Sequence, residues 1–433
     1  MRRSEREAGA RTVDANASVA GRTARTYEAL PTARKRAARA AVGAVFFVNG
    51  ATFATWAARV PAIREGLGLS PGGLSVALTG LAAAAFAGLP LAGMLVARWG
   101  SRRVLTGAAL YLAALPLIAL APGLVWLAAV LAVFAIGNST LDVAMNTQGA
   151  LVERAYARPL MGSFHAMFSL GGVVGAAFGG VAADLGVSVR SHFLLTVVVL
   201  SFVLAVATVF LLPDVPSGDA AGLTLALPDR RLFAPGLIAF CALMGEGMMN
   251  DWSTVYLHDV AETSKSTAAT GFSVFSAGMV VGRLAADRIQ AHLGPDRFVL
   301  ACGLLASTGS ALAVAVPTPT AGLAAYALIG LGLAAIIPVT FSHAARQPHR
   351  APGPSIAAVS TVGYVGFLAG PPIVGAVAQT TGLRAAMLLF LVLTTVMVCL
   401  APRLRAVPAR PAPAGPQAPP GHPSSNGSGT RKR

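Results

Sequence analysis

The chain has 433 residues, of which 55% are hydrophobic and only 12% charged, with a mean hydropathy of +0.67 and a formal charge of +16. Soluble domains carry about 25% charged residues, so a water-soluble enzyme or regulatory domain is excluded as the body of the molecule. The charge is not a nucleic-acid signature either, and no nucleic-acid partner is expected: residues 1–40 hold ten Lys/Arg against four Asp/Glu and residues 401–433 hold six against none, so the two ends carry twelve of the sixteen excess charges.

In chain order, residues 1–40 read as a disordered basic cytoplasmic tail, too long for the charged region of a signal peptide and suited to an anionic inner leaflet. From Ala41 to Arg405 the charges and Pro/Gly clusters cut the chain into lengths that fit a hydrocarbon core of about 30 Å. Twelve segments result, near 41–62, 72–96, 104–121, 123–150, 161–183, 191–212, 233–257, 267–288, 298–316, 320–343, 355–378 and 383–402. An N-terminal six-helix bundle (41–212) is followed by a cytoplasmic linker (213–232) holding Asp214, Asp219 and Asp229, a C-terminal six-helix bundle (233–403), and a disordered Pro-rich basic cytoplasmic tail (404–433). Arg98, Arg102, Arg103, Arg154, Arg158, Arg230, Arg231, Arg283, Arg288, Arg297, Arg346 and Arg350 fall on the side of the N-terminus, and Arg59, Arg64, Arg190, Lys265 and Arg384 on the other. That excess predicts both termini in the cytoplasm and a multi-pass protein of the inner membrane. Cys241, Cys302 and Cys399 lie in apolar runs without metal-ligand spacing and read as packing residues.

The two halves repeat. AGMLVARW from Ala92 returns as AGMVVGRL from Ala277, 185 positions on, and Gly171, Gly175 and Gly180 return as Gly366, Gly370 and Gly375, 195 positions on. Such glycines serve close helix packing in many membrane proteins, but their recurrence in both halves points to a duplicated six-helix unit. The string GMLVARWGSRR resembles the loop between the second and third helices of the major facilitator superfamily, with Gly93, Leu95, Arg98, Gly100, Arg102 and Arg103 on its positions and Ala97 where the family has an acid. In the other half GRLAADR supplies Arg283, Asp287 and Arg288, expected to form a helix-end ion pair. The glycine run from Gly171 to Gly180 resembles the antiporter motif of the fifth helix, with Ala176 in place of its proline. ATWAARVPAI from Ala54, DVAMNTQG from Asp142 and NDWSTVYL from Asn250 look most like the MosC-like branch near the fucose permeases. The resemblance implies an all-α membrane protein with twelve transmembrane helices in two pseudo-symmetric bundles, working by alternating access.

An ionisable group near the bilayer centre costs about 2.5 to 3.5 kcal/mol on insertion scales, so each one retained asks for a reason. Glu246 falls near the middle of the seventh helix, with Asn250 one turn outward on the same face and Asp251 beside it. The resemblance puts the first and seventh helices at the cavity, so Arg59 is expected to pair with Asp251 or Glu246 in the outward-closed state, as part of a gate or as a static lock. Asp142 and Asn146 lie in the inner half of the fourth helix, with Gln148 below, and His165 opens the fifth. Asp142 and His165 are expected to form a gate or proton-exit pair, the plainer alternative being that Asp142 serves backbone donors or Arg154. Asn49, Trp56, Trp252 and Tyr364 offer hydrogen-bonding and stacking surface for a small polar solute, although the tryptophans also suit interfacial anchoring. Pro338, Pro371 and Pro372 predict kinks.

No phosphate-binding Gly-x-x-x-x-Gly-Lys-Ser/Thr loop, metal motif or nucleophile motif occurs, so neither an enzyme nor a pump is expected, and no cofactor or metal. The reading is a monomeric secondary transporter of a small polar organic solute, sugar-like or cyclitol-like as the resemblance implies, with protons as the coupling ion. Efflux of toxic amphiphiles and a non-transporting receptor or assembly factor on the same scaffold remain as alternatives.

Overall fold

The computed structural model describes residues 27–214, 229–347 and 350–405. They form twelve helices of membrane length: α1 (Thr32–Gly66), α2 (Pro71–Trp99), α3 (Ser101–Ala119), α4 (Leu124–Tyr156), α5 (Met161–Asp184), α6 (Val189–Phe210), α7 (Phe233–Asp259), α8 (Lys265–Leu293), α9 (Pro295–Ala315), α10 (Pro319–Ala345), α11 (Pro352–Thr381) and α12 (Leu383–Leu404). With an even number of crossings, α1 begins and α12 ends on one side, called here the tail side; the opposite is the far side. Ten of these helices are long and apolar enough to cross a membrane on their own. The other two, α7 and α8, carry Glu246, Asp251 and Asp259, and Lys265, Arg283, Asp287 and Arg288. Their charges lower their own hydropathy, and their place in the membrane depends on the helices packed around them.

Several expected boundaries shift. Helix α1 begins at Thr32, so residues 32–40 are helix and not tail. Ala and Arg are strong helix formers, and long cationic side chains extend to the polar surface while their stems stay in the apolar layer. The remainder of both expected tails (1–26 and 406–433) and most of the linker (215–228) lie outside the described residues. Helix α4 continues past the expected residue 150 to Tyr156 and stops at Ala157, which takes a left-handed φ of 51°. Helix α10 is interrupted between Leu333 and Ile336. The cause is Pro338, which has no N–H to offer the carbonyl of Ala334 one turn earlier. Helix α11 is continuous through Pro371 and Pro372.

The packing repeats between halves. Helix α1 lies along α5 as α7 lies along α11, and α2 against α4 as α8 against α10. A Cβ on Gly171 would stand 2.1 Å from the Phe47 carbonyl oxygen and one on Gly175 2.4 Å from that of Ala51. Their counterparts Gly366 and Gly370 would meet the Phe240 and Met244 carbonyls at 2.3 and 2.9 Å. Duplicated glycines thus hold duplicated helix pairs at backbone contact. Gly171→Ala is expected to cost about 1–3 kcal/mol of stability through overpacking. Gly172→Ala, whose Cβ would meet nothing within 4 Å, should melt like the parent protein in detergent.

Each half has its own apolar core, but the first core takes in Phe341, Ala344 and Ile356 from the second half. All three lie toward the tail side, where the hydrogen bonds and the ion pair joining the halves also gather. The tail side is therefore sealed.

Candidate functional site

Helix α7 is buried over most of its surface, yet Leu243, Glu246, Asn250 and Thr254 are half-buried or exposed. Their spacing of three and four residues puts them on one helical face. Flanking glycines bring neighbours close to Glu246: a Cβ on Gly245 would meet Phe390 of α12 at 3.1 Å, and one on Gly247 the Phe367 carbonyl of α11 at 2.9 Å. The Glu246 carboxylate interacts electrostatically with the guanidinium of Arg283 on α8. Arg283 Nε donates to the Ala334 carbonyl at 3.2 Å, the acceptor that Pro338 leaves free, and Arg283 Nη1 donates to the Ser169 hydroxyl on α5 of the other half. One arginine thus bonds a broken helix and the opposite bundle while feeling the charge of a carboxylate. The expected ion pair with Asp287 is absent: one turn apart on α8, Arg283 turns inward and Asp287 is used elsewhere.

In the first half, the Asn146 amide nitrogen donates to the Asp142 carboxylate at 3.2 Å and to the Asp142 carbonyl at 2.9 Å. Asn146 Oδ1 lies 3.2 Å from His165 Nε2. Because the Asn146 nitrogen faces Asp142, its oxygen faces the histidine and His165 Nε2 carries the proton, a tautomer assigned from this network. The rings of Phe46 on α1 and Phe341 on α10 flank His165 at centroid distances of 5.2 and 6.2 Å. Asp142 and His165 are therefore linked through Asn146 rather than paired directly, because Asn146 fills the space between them. Tyr364 on α11 lies within electrostatic reach of both Asp142 and Glu246. Asn49 accepts a hydrogen bond from Tyr111 at 2.8 Å and lies 3.7 Å from the Met145 sulfur. Asp142, His165, Glu246, Arg283 and Tyr364 are all half-buried although they sit in the interior of the bundle, as residues bordering an internal path would be.

Below this layer two carboxylates meet the start of α5. Glu153 Oε1 accepts from the N–H groups of Leu160 and Met161 at 2.8 and 3.0 Å. Asp287, from the other half, accepts from those of Gly162 and Ser163, both at 2.8 Å, and from the Ser163 hydroxyl. The exposed N–H groups of a helix start are thus satisfied by one acid from each bundle, on the positive end of the helix dipole. The second oxygen of Glu153 lies 3.6 Å from Arg346 across the seam, and Arg154 donates to the Ala345 carbonyl. Sequence reasoning missed Glu153, which sits at a helix end among arginines; its burial is the signal that only the fold supplies.

The loop motif of the first half works without the missing acid at Ala97. Gly100 takes a φ of 80°, and the carboxylate of Asp214, at the start of the linker, accepts from the N–H groups of Ser101 and Arg102. Gln148 ties the same corner by bonding the Ser101 hydroxyl and both backbone groups of Leu212. Tyr27 donates to the Pro213 carbonyl, and burial, with the Asp214 charge second, pushes its hydroxyl up to about 12. Gly93 lies against Ala357 of α11, Arg98 stands 6.0 Å from the Trp99 ring, Arg102 reaches the Val209 carbonyl, and Arg103 and Arg288 are exposed.

Arg59 is buried and donates to the Val187 carbonyl beside His192, on the first half's own side, so it pairs with neither Asp251 nor Glu246. Asn250 and Asp251 are exposed, and Trp252 packs toward Gly375 of α11. Trp56 is a core residue against Phe53 and Phe134, not an interfacial anchor. Among the described residues no group of three His, Cys, Asp or Glu comes together.

Twelve crossings in two like halves, sealed on one side beneath a buried polar layer, define a membrane carrier of the two-bundle kind. The chain belongs to the Major Facilitator Superfamily, whose family model matches residues 41–351 and 236–428. It is 36% identical over 369 residues to the uncharacterised transporter y4wD of Sinorhizobium fredii, covering 84% of this chain and 97% of that one. It is 32% identical over 363 residues to the membrane protein MosC of Rhizobium meliloti, covering 83% and 88%. Its fold matches the transporter FucP solved in an outward conformation, with a TM-score of 0.72 at 15% identity over 85% of this chain and 99% of the other. The human organic anion transporter MFSD10 follows it with a TM-score of 0.70 at 17% identity over 86% and 100%. The protein is a multi-pass membrane transporter, not an enzyme.

Proposed function

We propose that this transporter is a proton-coupled carrier of a small polar organic solute, sugar-like or cyclitol-like, in the cytoplasmic membrane with its tail side facing the cytoplasm. The observation that carries the reading is two half-buried carboxylates in the interior, Asp142 and Glu246, one in each bundle and both within electrostatic reach of Tyr364. Carboxylates kept in the membrane interior are proton-carrier candidates. The fold neighbour titled a fucose:proton symporter, FucP of E. coli, with a TM-score of 0.70 at 15% identity over 85% of this chain and 98% of the other, supplies a sugar and a proton as precedents. The arginine excess on the tail side supports the orientation.

In this mechanism the solute enters from the far side along the α7 face that bears Asn250 and Glu246. A proton on Glu246 neutralises the partner of Arg283, and the freed guanidinium shifts its hold on Ser169 and Ala334. Since Ser169 belongs to α5, the charge state at the centre reaches the helix whose start the two acids secure. Tail-side opening then releases solute and proton together. The test is uptake by proteoliposomes across an imposed pH gradient, screened with sugars, cyclitols and common antibiotics. Accumulation of a polyhydroxy solute that collapses when the gradient is dissipated is expected. Gradient-driven antibiotic movement without any sugar or cyclitol uptake would instead favour toxic-compound efflux, and binding without movement a receptor.

A further inference from the structure

Outside the central path, a hollow of about 1220 Å³ opens on the tail side among α1, α5, α6 and α8. Its walls are apolar, with Phe47, Met167, Leu170, Val173, Val280 and Leu284 among them. Its lining on α5 runs from Ser163 to Val173, eleven residues whose ten rises span about 15 Å of helix. That is half of a hydrocarbon core of about 30 Å, the depth of one leaflet. At the tail-side mouth stand Arg36, Arg39 and Arg158, and an adjoining hollow of about 580 Å³ adds Arg288 and His292 while sharing Arg39, Arg158, Ser163 and Leu284.

The guanidiniums at this mouth have no acidic partner among the described residues. Asp287, the acid that lines the adjoining hollow, is occupied by the start of α5. Arg158 lies 5.4 Å over the Tyr156 ring, a contact that leaves its N–H groups available. The pattern is cationic at the water surface and apolar for one leaflet inward. It is complementary to an anionic diacyl phospholipid, whose phosphate would meet the arginines while an acyl chain follows the wall. A zwitterionic lipid would fill the apolar part and leave the excess charge unanswered. The chain's own residues 1–26, with six arginines against three acids, have the sign of the mouth and are repelled by it.

We propose that this hollow is a binding site for an anionic phospholipid of the tail-side leaflet. The site straddles α5 of one half and α8 of the other beside the seam held by Asp287, so the bound lipid favours the sealed form of the tail side.

The test is native mass spectrometry of the full chain, purified in a neutral detergent and offered equal amounts of phosphatidylglycerol and phosphatidylcholine with matched acyl chains. Wild type is expected to retain phosphatidylglycerol in about tenfold preference. The triple variant Arg36→Gln, Arg158→Gln, Arg288→Gln should bring the ratio near one. A far-side triple, Arg64→Gln, Arg190→Gln, Arg384→Gln, should leave it unchanged. Should the first triple fail to fold, Leu284→Trp takes its place, filling the apolar wall with the arginines intact, and is expected to lose the retained lipid. Equal retention of both lipids by wild type would overturn the proposal, as would a preference that survives the tail-side triple or, in its place, Leu284→Trp. So would displacement of the lipid by millimolar glycerol 1-phosphate, which would mark a phosphate site with no need of acyl chains.

Discussion

Glu246→Gln is expected to abolish accumulation driven by a pH gradient while leaving exchange of labelled for unlabelled solute. The amide fills the same space between Gly245 and Gly247 but neither ionises nor answers the charge of Arg283. Arg283 then lacks its charged partner in every state of the cycle, so its hold on Ala334 and Ser169 is shifted permanently as by the protonated carboxyl, and the centre no longer distinguishes a protonated from an unprotonated carrier. Exchange needs only reorientation of the loaded form, whereas accumulation needs the proton to bias it, so the two assays should separate by about tenfold or more. Gradient-driven accumulation at the parental level in Glu246→Gln would refute the role of this residue and leave Asp142 as the remaining carrier of the proton. If neither assay registers movement in the parent protein, the carrier reading itself is at fault.

The second large effect is expected at the start of α5. Removing the charges of Glu153 and Asp287 together, as Glu153→Gln with Asp287→Asn, weakens the charge-assisted bonds that close the tail side. Hydrogen bonds to charged groups contribute about 1.5–3 kcal/mol each. Even a loss of about 2 kcal/mol in bias shifts the sealed-to-open ratio by ~30-fold. A cysteine at Ser355, buried near the start of α11, reports this in a background with Cys399→Ser, since Cys241 and Cys302 are buried. A tail-side maleimide should label it much faster in the double variant. Equal labelling rates would mean that the apolar seam alone closes the tail side.

The parts of this molecule that were legible in its sequence are those set by repetition and by hydropathy. Gly171 and Gly366 could be paired before any helix was placed, because the same carbonyl contact constrains both halves. What failed did so for physical reasons. The arginines from Arg34 to Arg39 look like tail because hydropathy scores the charged tip and ignores the apolar stem. Arg283 looks like a loop residue because it stands near a motif, whereas the acceptor that draws it inward, the Ala334 carbonyl, exists only because of a proline on a different helix. The acid missing at Ala97 is supplied by Asp214, more than a hundred residues away, and no local pattern reports a contact of that range. In the sealed form Arg59 meets a backbone carbonyl, that of Val187, a partner that leaves no mark in a sequence.

The two seams that close the tail side differ in kind. Along α5 and α8 closure depends on carboxylates holding backbone N–H groups, contacts that fail within an ångström or so of displacement. Along α2 and α11 apolar groups meet, Gly93 on Ala357 and Val96 on Gly353, and such non-directional contacts tolerate a change of angle better than hydrogen bonds do. The bundles are thus built like a door, hinged at the α2 edge and locked at the α5 edge. Solute leaving toward the tails would pass on the lock side first.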